Sequence, residues 1–242
     1  MHIPLRVDLN ADLGEGCPWD QELLKRVTSA SICCGAHAGT PEGICATLRA
    51  AWQEKVQVGA HPGYPDRDHF GRREQAINRQ TAHDLVITQV NTLKGWARPL
   101  GVEIRFLKPH GALYNQAQVD AEIAAGVVGA AHALNLPILG MPGSCVAEEA
   151  RKQDVPFIAE GFADRRYTPE GRLVPRTQPG AVLEDPQQIA SQVEHLLTRG
   201  IDTLCIHGDS PGAVHLATVV RAAAKHLNAR IVAFLDGTKT NP

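Results

Sequence analysis

The residue types able to do chemistry in this chain gather in six short runs, each directly behind an apolar segment. The first is Asn10-Ala-Asp-Leu-Gly-Glu-Gly16, which carries Asp12 and Glu15. Gly35-Ala-His-Ala-Gly-Thr40 and Ala60-His-Pro-Gly-Tyr-Pro-Asp66 follow, with His37 and His61. Lys108-Pro-His-Gly-Ala-Leu-Tyr-Asn115 brings Lys108, His110, Tyr114 and Asn115. Glu160 to Tyr167 adds Arg166 and Tyr167, and His207-Gly-Asp-Ser210 adds His207 and Asp209. Histidine occurs 11 times, as often as Phe, Trp and Tyr together. Imidazole titrates near neutral pH and ligates metals, so it suits proton transfer and metal chemistry alike. A lone histidine after a strand often does no more than finish a loop. Four of them (37, 61, 110, 207) beside Asp12, Glu15, Lys108 and Asp209 point to catalysis.

Two chemistries fit these side chains. Asp12, His61 and His110 can form an Asp-His-His set for a divalent metal with positions left open to water. The same three can also form a metal-free acid–base array. Spacing along the chain does not choose between them. Gly35 and Gly39 before Thr40-Pro41, and Gly208 before Ser210-Pro211, place small residues at turns into helices, where free N–H groups can receive a carboxylate or phosphate. No His-Glu-x-x-His and no Gly-x-x-x-x-Gly-Lys-Ser/Thr is present, so a nucleotide would bind without a P-loop.

The elements that must position these groups alternate. Strands are expected over 5–9, 30–34, 56–59, 103–107, 137–139, 156–159, 203–207 and 230–235, mostly apolar on both faces, as in a parallel sheet covered by helices. The clearest helix is expected over 186–199, with Asp185 as cap, Pro186 at its first turn and Ile189, Val193, Leu196 and Leu197 on one face. Thr40-Pro41 and Ser210-Pro211 announce two more, a stripe over 86–100 another, and helices are expected behind Asp120 and Ser144. Regular strand–helix alternation over 242 residues predicts a (β/α) barrel or a doubly wound sheet. No Gly-x-Gly-x-x-Gly follows the first strand, which disfavours the dinucleotide-binding version. In a parallel barrel all the polar runs would reach one mouth. Residues 160–183 lack a helical stripe and are expected to form a lid or hairpin.

The chain reads as one domain, 1–242. Twenty-four Lys and Arg against 26 Asp and Glu give −2, a near-neutral balance that argues against a nucleic-acid surface. Residues 123–143, the most apolar stretch, are broken by His132, Asn135, Pro137 and Pro142 and cannot span a bilayer. The first residues lack the charge and apolar pattern of a secretory signal, so the cytoplasm is the expected compartment. Six cysteines without paired spacing suggest neither a zinc knuckle nor a disulfide framework, and Cys33 and Cys205 read as small core residues.

Six blocks, in order along the chain, resemble the LamB/YcsF family. They are Asp8-Leu-Asn-Ala-Asp-Leu-Gly-Glu15, Cys34-Gly-Ala-His-Ala-Gly39, and Gly59-Ala-His-Pro-Gly-Tyr-Pro-Asp66 with Phe70-Gly-Arg-Arg73. Lys108 to Asn115, Glu160 to Tyr167 with Leu173-Val-Pro-Arg176, and His207-Gly-Asp209 complete the set. Cys17-Pro18-Trp19, Cys33, Ala36 and Thr40 depart from the family's usual residues. The resemblance implies a seven-stranded (β/α) barrel with an incomplete ring, similar to the glycoside hydrolase/deacetylase class. It implies an ATP-dependent lactam hydrolase that opens 5-oxo-L-proline to L-glutamate with partner B and C subunits, homo-oligomerisation being left open. Asp12, Glu15, His61, Lys108 and His110 are then the catalytic candidates. Asn10, His37, Arg72, Arg73, Tyr114, Asn115, Arg166, Tyr167, His207 and Asp209 are the substrate-binding candidates. A stand-alone metal-dependent amidohydrolase or deacetylase, and a non-catalytic binding component, are the alternatives.

Overall fold

The computed structural model describes residues 5–235; residues 1–4, which belong to the start read for a signal, and 236–242 lie outside the described residues. Among the described residues eight strands run in chain order as β1 (Leu5–Leu13), β2 (Ser29–Cys33), β3 (Gln57–His61), β4 (Ile104–Leu107), β5 (Ile138–Gly140), β6 (Phe157–Phe162), β7 (Thr203–His207) and β8 (Ala229–Ile231). All their pairings are parallel, and β1 closes the ring. One edge of β1 pairs with β7 from Asp8 to Asp12; the other pairs with β2 from Asn10 to Leu13. The eighth strand touches only Leu5 to Val7. The barrel is therefore a seven-stranded (β/α) ring, one strand short of the common eight, as expected.

Eight α-helices among the described residues cover it: α1 (Asp20–Leu24), α2 (Pro41–Gln53), α3 (Arg79–Ala97), α4 (Gly111–Val119), α5 (Ala121–Leu134), α6 (Cys145–Lys152), α7 (Pro186–Thr198) and α8 (Ala213–His226). Their starts follow the cap chemistry. Thr40 accepts from Gly43 N, Asp120 from Glu122 N and Ile123 N, Ser144 from Ala147 N and Asp185 from Gln187 N. Ser210-Pro211 behaves differently. The Ser210 carbonyl closes a turn onto Ala213 N, so α8 starts two residues past the proline. No helix among the described residues is long and apolar enough to cross a membrane.

Leu9, Ala11 and Leu13 lie on the helix-covered face of β1 and belong to one continuous apolar cluster. Asp8, Asn10 and Asp12 alternate with them and point into the barrel. The barrel interior is thus a polar column. At its foot, Asp8 accepts from Thr28 Oγ1 (2.6 Å), Ser29 Oγ (2.6 Å) and Thr203 Oγ1 (2.5 Å). Burial pushes this carboxyl up to about 6, against the pull of those three hydroxyls. Higher up, Phe106 fills the axis opposite Gly59, whose missing side chain makes the room: a Cβ there would overlap the Phe106 ring. Residues 163–185 form a flap held by antiparallel bridges, Arg165 to Val182 and Tyr167 to Leu173.

Gly59→Ala is expected to cost about 1–3 kcal/mol in denaturant unfolding, because the Phe106 ring must move within a packed barrel. Asp8 gives a pH signature. Its folded pKa lies above the unfolded value, so its contribution to stability is complete below about 4 and is lost as pH rises through about 6. Relative to Asp8→Asn, the wild type should lose on the order of 3 kcal/mol between pH 4 and 7.5, measured by urea unfolding at both pH values.

Candidate active site

The centre of the site is a buried ammonium. Lys108 follows β4 directly, and its side chain runs into the barrel axis at 1% exposure. Its Nζ lies 2.8 Å from Asp12 Oδ1, 2.8 Å from Glu160 Oε1, 3.2 Å from Asn10 Oδ1 and 3.0 Å from Cys205 Sγ. Phe162 lies against it, with the ring centroid 5.3 Å from Nζ. Burial works against this charge, but Asp12, Cys205 and Glu160 more than offset it and raise the pKa well above the usual lysine value. Asn10 is a buried strut: its Nδ2 donates to Glu160 Oε1 (3.2 Å) and Thr203 Oγ1 (2.8 Å). Cys205, read as a core residue, also borders the site.

Above the lysine, histidines from three loops meet. His61 ends β3, and its Nδ1–H donates to the Lys108 carbonyl at 2.8 Å. A carbonyl only accepts, so the proton is on Nδ1 and Nε2 presents its lone pair to the site. That Nε2 lies 3.5 Å from Asp12 Oδ2, 3.8 Å from Glu15 Oε1 and 3.0 Å from His110 Nδ1. His110 caps α4, and its Nε2–H donates to the Phe70 carbonyl at 2.8 Å, which turns the Nδ1 lone pair inward. His37 stacks on His110 with centroids 3.8 Å apart and rings within 2° of parallel, and its Nε2 lies 3.1 Å from Glu15 Oε1. Gly71 makes that stack possible. Its φ is +64°, and a Cβ there would come within 2.9 Å of His37 Cβ.

Charge is fixed by these neighbours. Burial would raise the Asp12 carboxyl, yet His61, Lys108 and His207 hold it below the ordinary aspartate range. Burial acts on Glu15 in the same sense and is overcome by its contacts to His110, His37 and His61, which hold the carboxyl well below the usual glutamate range. His61 is driven down to about 3, chiefly by burial, so its imidazole is neutral at pH 7. Burial likewise lowers His37.

On the opposite side of the mouth, His207 ends β7. Its Nδ1 lies 2.9 Å from Asp164 Oδ2, and the same carboxylate accepts from the His207 backbone N–H. Asp164 comes from the flap. Burial would raise its pKa, but the contacts to His207 keep it low. Arg72 Nη2 (2.5 Å) and Arg176 Nη1 (2.9 Å) both bind Asp209 Oδ2, which ties three loops across the mouth. Tyr114 and Phe162 meet edge to face at 5.6 Å and form its apolar wall.

Asn10, Asp12, Glu15, His37, His61, Lys108, His110 and His207 are thus brought together, with Arg72, Asp209 and Tyr114 around them. Arg73, Arg166 and Asn115 are not. Arg73 forms a two-pronged pair with Asp66 on the outside. Asn115 is exposed on α4. Arg166 borders a separate cavity of about 930 Å³ between the flap and α7, and Tyr167 uses its hydroxyl to accept from Phe162 N. Glu160, Asp164 and Arg176, the partners of Lys108, His207 and Asp209, are absent from the sequence-based candidates. Also passed over is Gly208-Asp-Ser-Pro-Gly212, which spells the Gly-x-Ser-x-Gly of a nucleophile elbow. Ser210 has no imidazole within hydrogen-bond reach among the described residues, since His207 Nδ1 is taken by Asp164. Among the described residues two groups have ligand atoms close enough for one metal: Glu15 with His61 and His110, and Asp12 with Cys205 and His207. Glu15, not Asp12, completes the set with the two imidazoles.

Similarity to known proteins agrees with this architecture. The lactam utilization protein from Thermus thermophilus superposes with a TM-score of 0.86 at 36% identity, covering 95% of this chain and all of that one. A polysaccharide deacetylase from Bacillus cereus shares the fold alone, at a TM-score of 0.56 and 12% identity over 99% of this chain and 95% of its own. One of the 5-oxoprolinase A subunits of Pseudomonas syringae pv. tomato is 40% identical over 94% of this chain and 97% of its own length. The LamB/YcsF pattern matches residues 7–239, nearly the whole chain, and with relatives this similar along their full length the chain belongs to the LamB/YcsF family.

Proposed function

We propose that this chain is the ring-opening A subunit of a 5-oxoprolinase, working in the cytoplasm with B and C subunits to convert 5-oxo-L-proline, ATP and water into L-glutamate, ADP and phosphate. The observation that carries the reading is full-length likeness to proteins named as 5-oxoprolinase A subunits, at 40% identity in one case and 42% over 89% of the chain in another, from Methylococcus capsulatus. The geometry supports a hydrolytic role. A five-membered lactam is a resonance-stabilised amide that water attacks slowly, and phosphorylation of its oxygen makes the ring carbon electrophilic. Without a P-loop in this chain, the nucleotide step falls to its partners.

A water held beside His61 Nε2 and Asp12 Oδ2, which stand 3.5 Å apart, gives its proton to Asp12 Oδ2 as its oxygen adds to the ring carbon. Lys108 keeps Asp12 ionised and in place. Loss of phosphate from the adduct would regenerate the lactam, so productive opening requires the ring nitrogen to be protonated before the C–N bond breaks. His207, held by Asp164 as a triad histidine is held by its aspartate, is the acid proposed for that nitrogen. The acyl phosphate that remains takes a second water and releases phosphate. Arg72 and Arg176 supply the positive edge for the substrate's carboxylate.

The purified chain alone is expected to form almost no glutamate from 5-oxoproline and ATP, and adding the B and C subunits is expected to start turnover. Robust turnover by the single chain would favour the stand-alone amidohydrolase instead. In the assembled enzyme, Asp12→Asn should lower kcat by about 10²–10⁴ with unchanged circular dichroism. Full activity in that variant would remove Asp12 from the mechanism.

A further inference from the structure

We propose that Glu15, His61 and His110 are the three protein ligands of one divalent metal ion of the zinc class. The starting point is where the protons are. His61 spends its ring N–H on the Lys108 carbonyl and His110 spends its own on the Phe70 carbonyl, each at 2.8 Å. What remains, His61 Nε2, His110 Nδ1 and Glu15 Oε1, is two lone pairs and a carboxylate oxygen turned towards one another. They stand 3.0, 3.2 and 3.8 Å apart, and in the tautomers that the two carbonyls select no ring N–H lies between them. Three electron-rich atoms at such distances repel unless something positive lies between them.

The triangle has the right size for a metal. Atoms with these separations share a centre about 2 Å from each, the length of a zinc–nitrogen or zinc–oxygen bond. The surroundings match as well. Histidines that bind metals usually donate the other ring N–H to a backbone carbonyl or carboxylate, and both imidazoles do so here. A ligating carboxylate is itself hydrogen-bonded, and His37 Nε2 supplies that bond to Glu15 Oε1 at 3.1 Å. All three ligands are nearly buried, with exposures of 9%, 1% and 6%.

The competing explanation is one extra proton shared between His110 and Glu15, which satisfies only that pair and leaves His61 Nε2 facing His110 Nδ1 at 3.0 Å. Lys108 does not reach this triangle: its ammonium is taken by Asp12 and Glu160. Asp12 stays outside the ligand set: Lys108 holds its Oδ1, and Oδ2 stands 3.5 Å from His61 Nε2, placed to accept from a water on the open side of the metal. The inference rests on the proposed reaction only for the use of that water, not for the binding of the ion.

The test reads metal and needs neither turnover nor the B and C subunits. Untagged chain stripped by a chelator is titrated with zinc by calorimetry, and with cobalt followed by visible absorption. One equivalent per chain, bound below micromolar, with cobalt bands of imidazole–carboxylate coordination, is expected. The isosteric Glu15→Gln, and His110→Ala, should weaken zinc binding at least a hundredfold, while Asp12→Asn changes it less than tenfold; circular dichroism reports whether each variant is folded. Absence of saturable zinc binding by the wild type would overturn the proposal without any variant. So would wild-type affinity in a folded Glu15→Gln, or a loss in Asp12→Asn as large as that in Glu15→Gln. A chain that binds zinc this way yet supports no 5-oxoproline turnover with its partners would retain the metal site and lose the reaction.

Discussion

A lysine ammonium inside a barrel has to be neutralised within hydrogen-bond distance, and the placement of Lys108 imposes that condition on most of this structure. Desolvating the charge costs several kcal/mol, recovered only by close and well-oriented partners. Asp12 and Asn10 come from β1, Glu160 from β6 and Cys205 from β7, so the ion's first neighbours draw strands from around the ring onto one point. Pairing across a barrel whose β4 and β5 share a single register position at Leu107 and Ile138 gains from such a tie. The same residue also sets the chemistry. Its backbone carbonyl fixes the His61 tautomer while its ammonium fixes the Asp12 charge. Fold and site are hard to change separately here.

From that point the interior divides by height. Hydroxyls and Asp8 fill the foot, carboxylates and the ammonium the middle, and imidazoles the top, all within a shell that is apolar on its helix-facing side. A polar barrel interior is costly unless each group finds a partner, and the dense hydrogen bonding of Asn10, Thr203 and Glu160 is the answer to that cost. His61 and His110 are oriented by backbone carbonyls, His207 by Asp164, and His37 by its stack on His110 and its contact to Glu15. The inward nitrogens of His61 and His110 therefore stay free for a proton, a water or an ion.

Much of this architecture is legible in the sequence because two periodicities report it directly. Apolar runs flanked by cap residues locate the strands and the helices behind Thr40, Asp120, Ser144 and Asp185. The limits appear where polarity and secondary structure disagree. Residues 10–13 read as loop chemistry behind a strand ending at Leu9, yet β1 continues to Leu13, because its inward side chains line a polar interior while Ala11 and Leu13 pack outward. Helix α4 is hidden in the same way by the polar run behind Lys108. That His37, His61, His110 and His207 share a mouth can be argued from strand ends alone. Which carboxylate serves which imidazole cannot, since Asp164 finds His207 across 43 positions and Glu15 finds His110 across a larger gap, set by flap and loop conformations that leave no local pattern. Arg73 shows the converse: next to Arg72 in sequence, it turns outward because Asp66 lies within reach.

The rim shows how an anionic substrate can be admitted to a site that is itself rich in carboxylates. Arg72 and Arg176 each give one N–H to Asp209 Oδ2, and a guanidinium carries five donors, so both keep free donors after that pairing. Asp209 holds the two cations a fixed distance from each other and partly cancels their charge; burial would raise its own pKa, but Arg176, His207 and Arg72 keep it low and the carboxylate ionised. In the proposed reaction an incoming carboxylate docks against two preorganised guanidinium edges without having to pull flexible side chains out of water. Arg72 also lies over the Phe70 ring at 4.8 Å, and Phe70 in turn packs edge-on against His110 at 5.6 Å while its carbonyl receives the His110 N–H. Arg72, to which the proposed reaction gives the substrate's charge, thus rests on the residue that orients an imidazole. The rim and the centre of the site are joined through one aromatic ring.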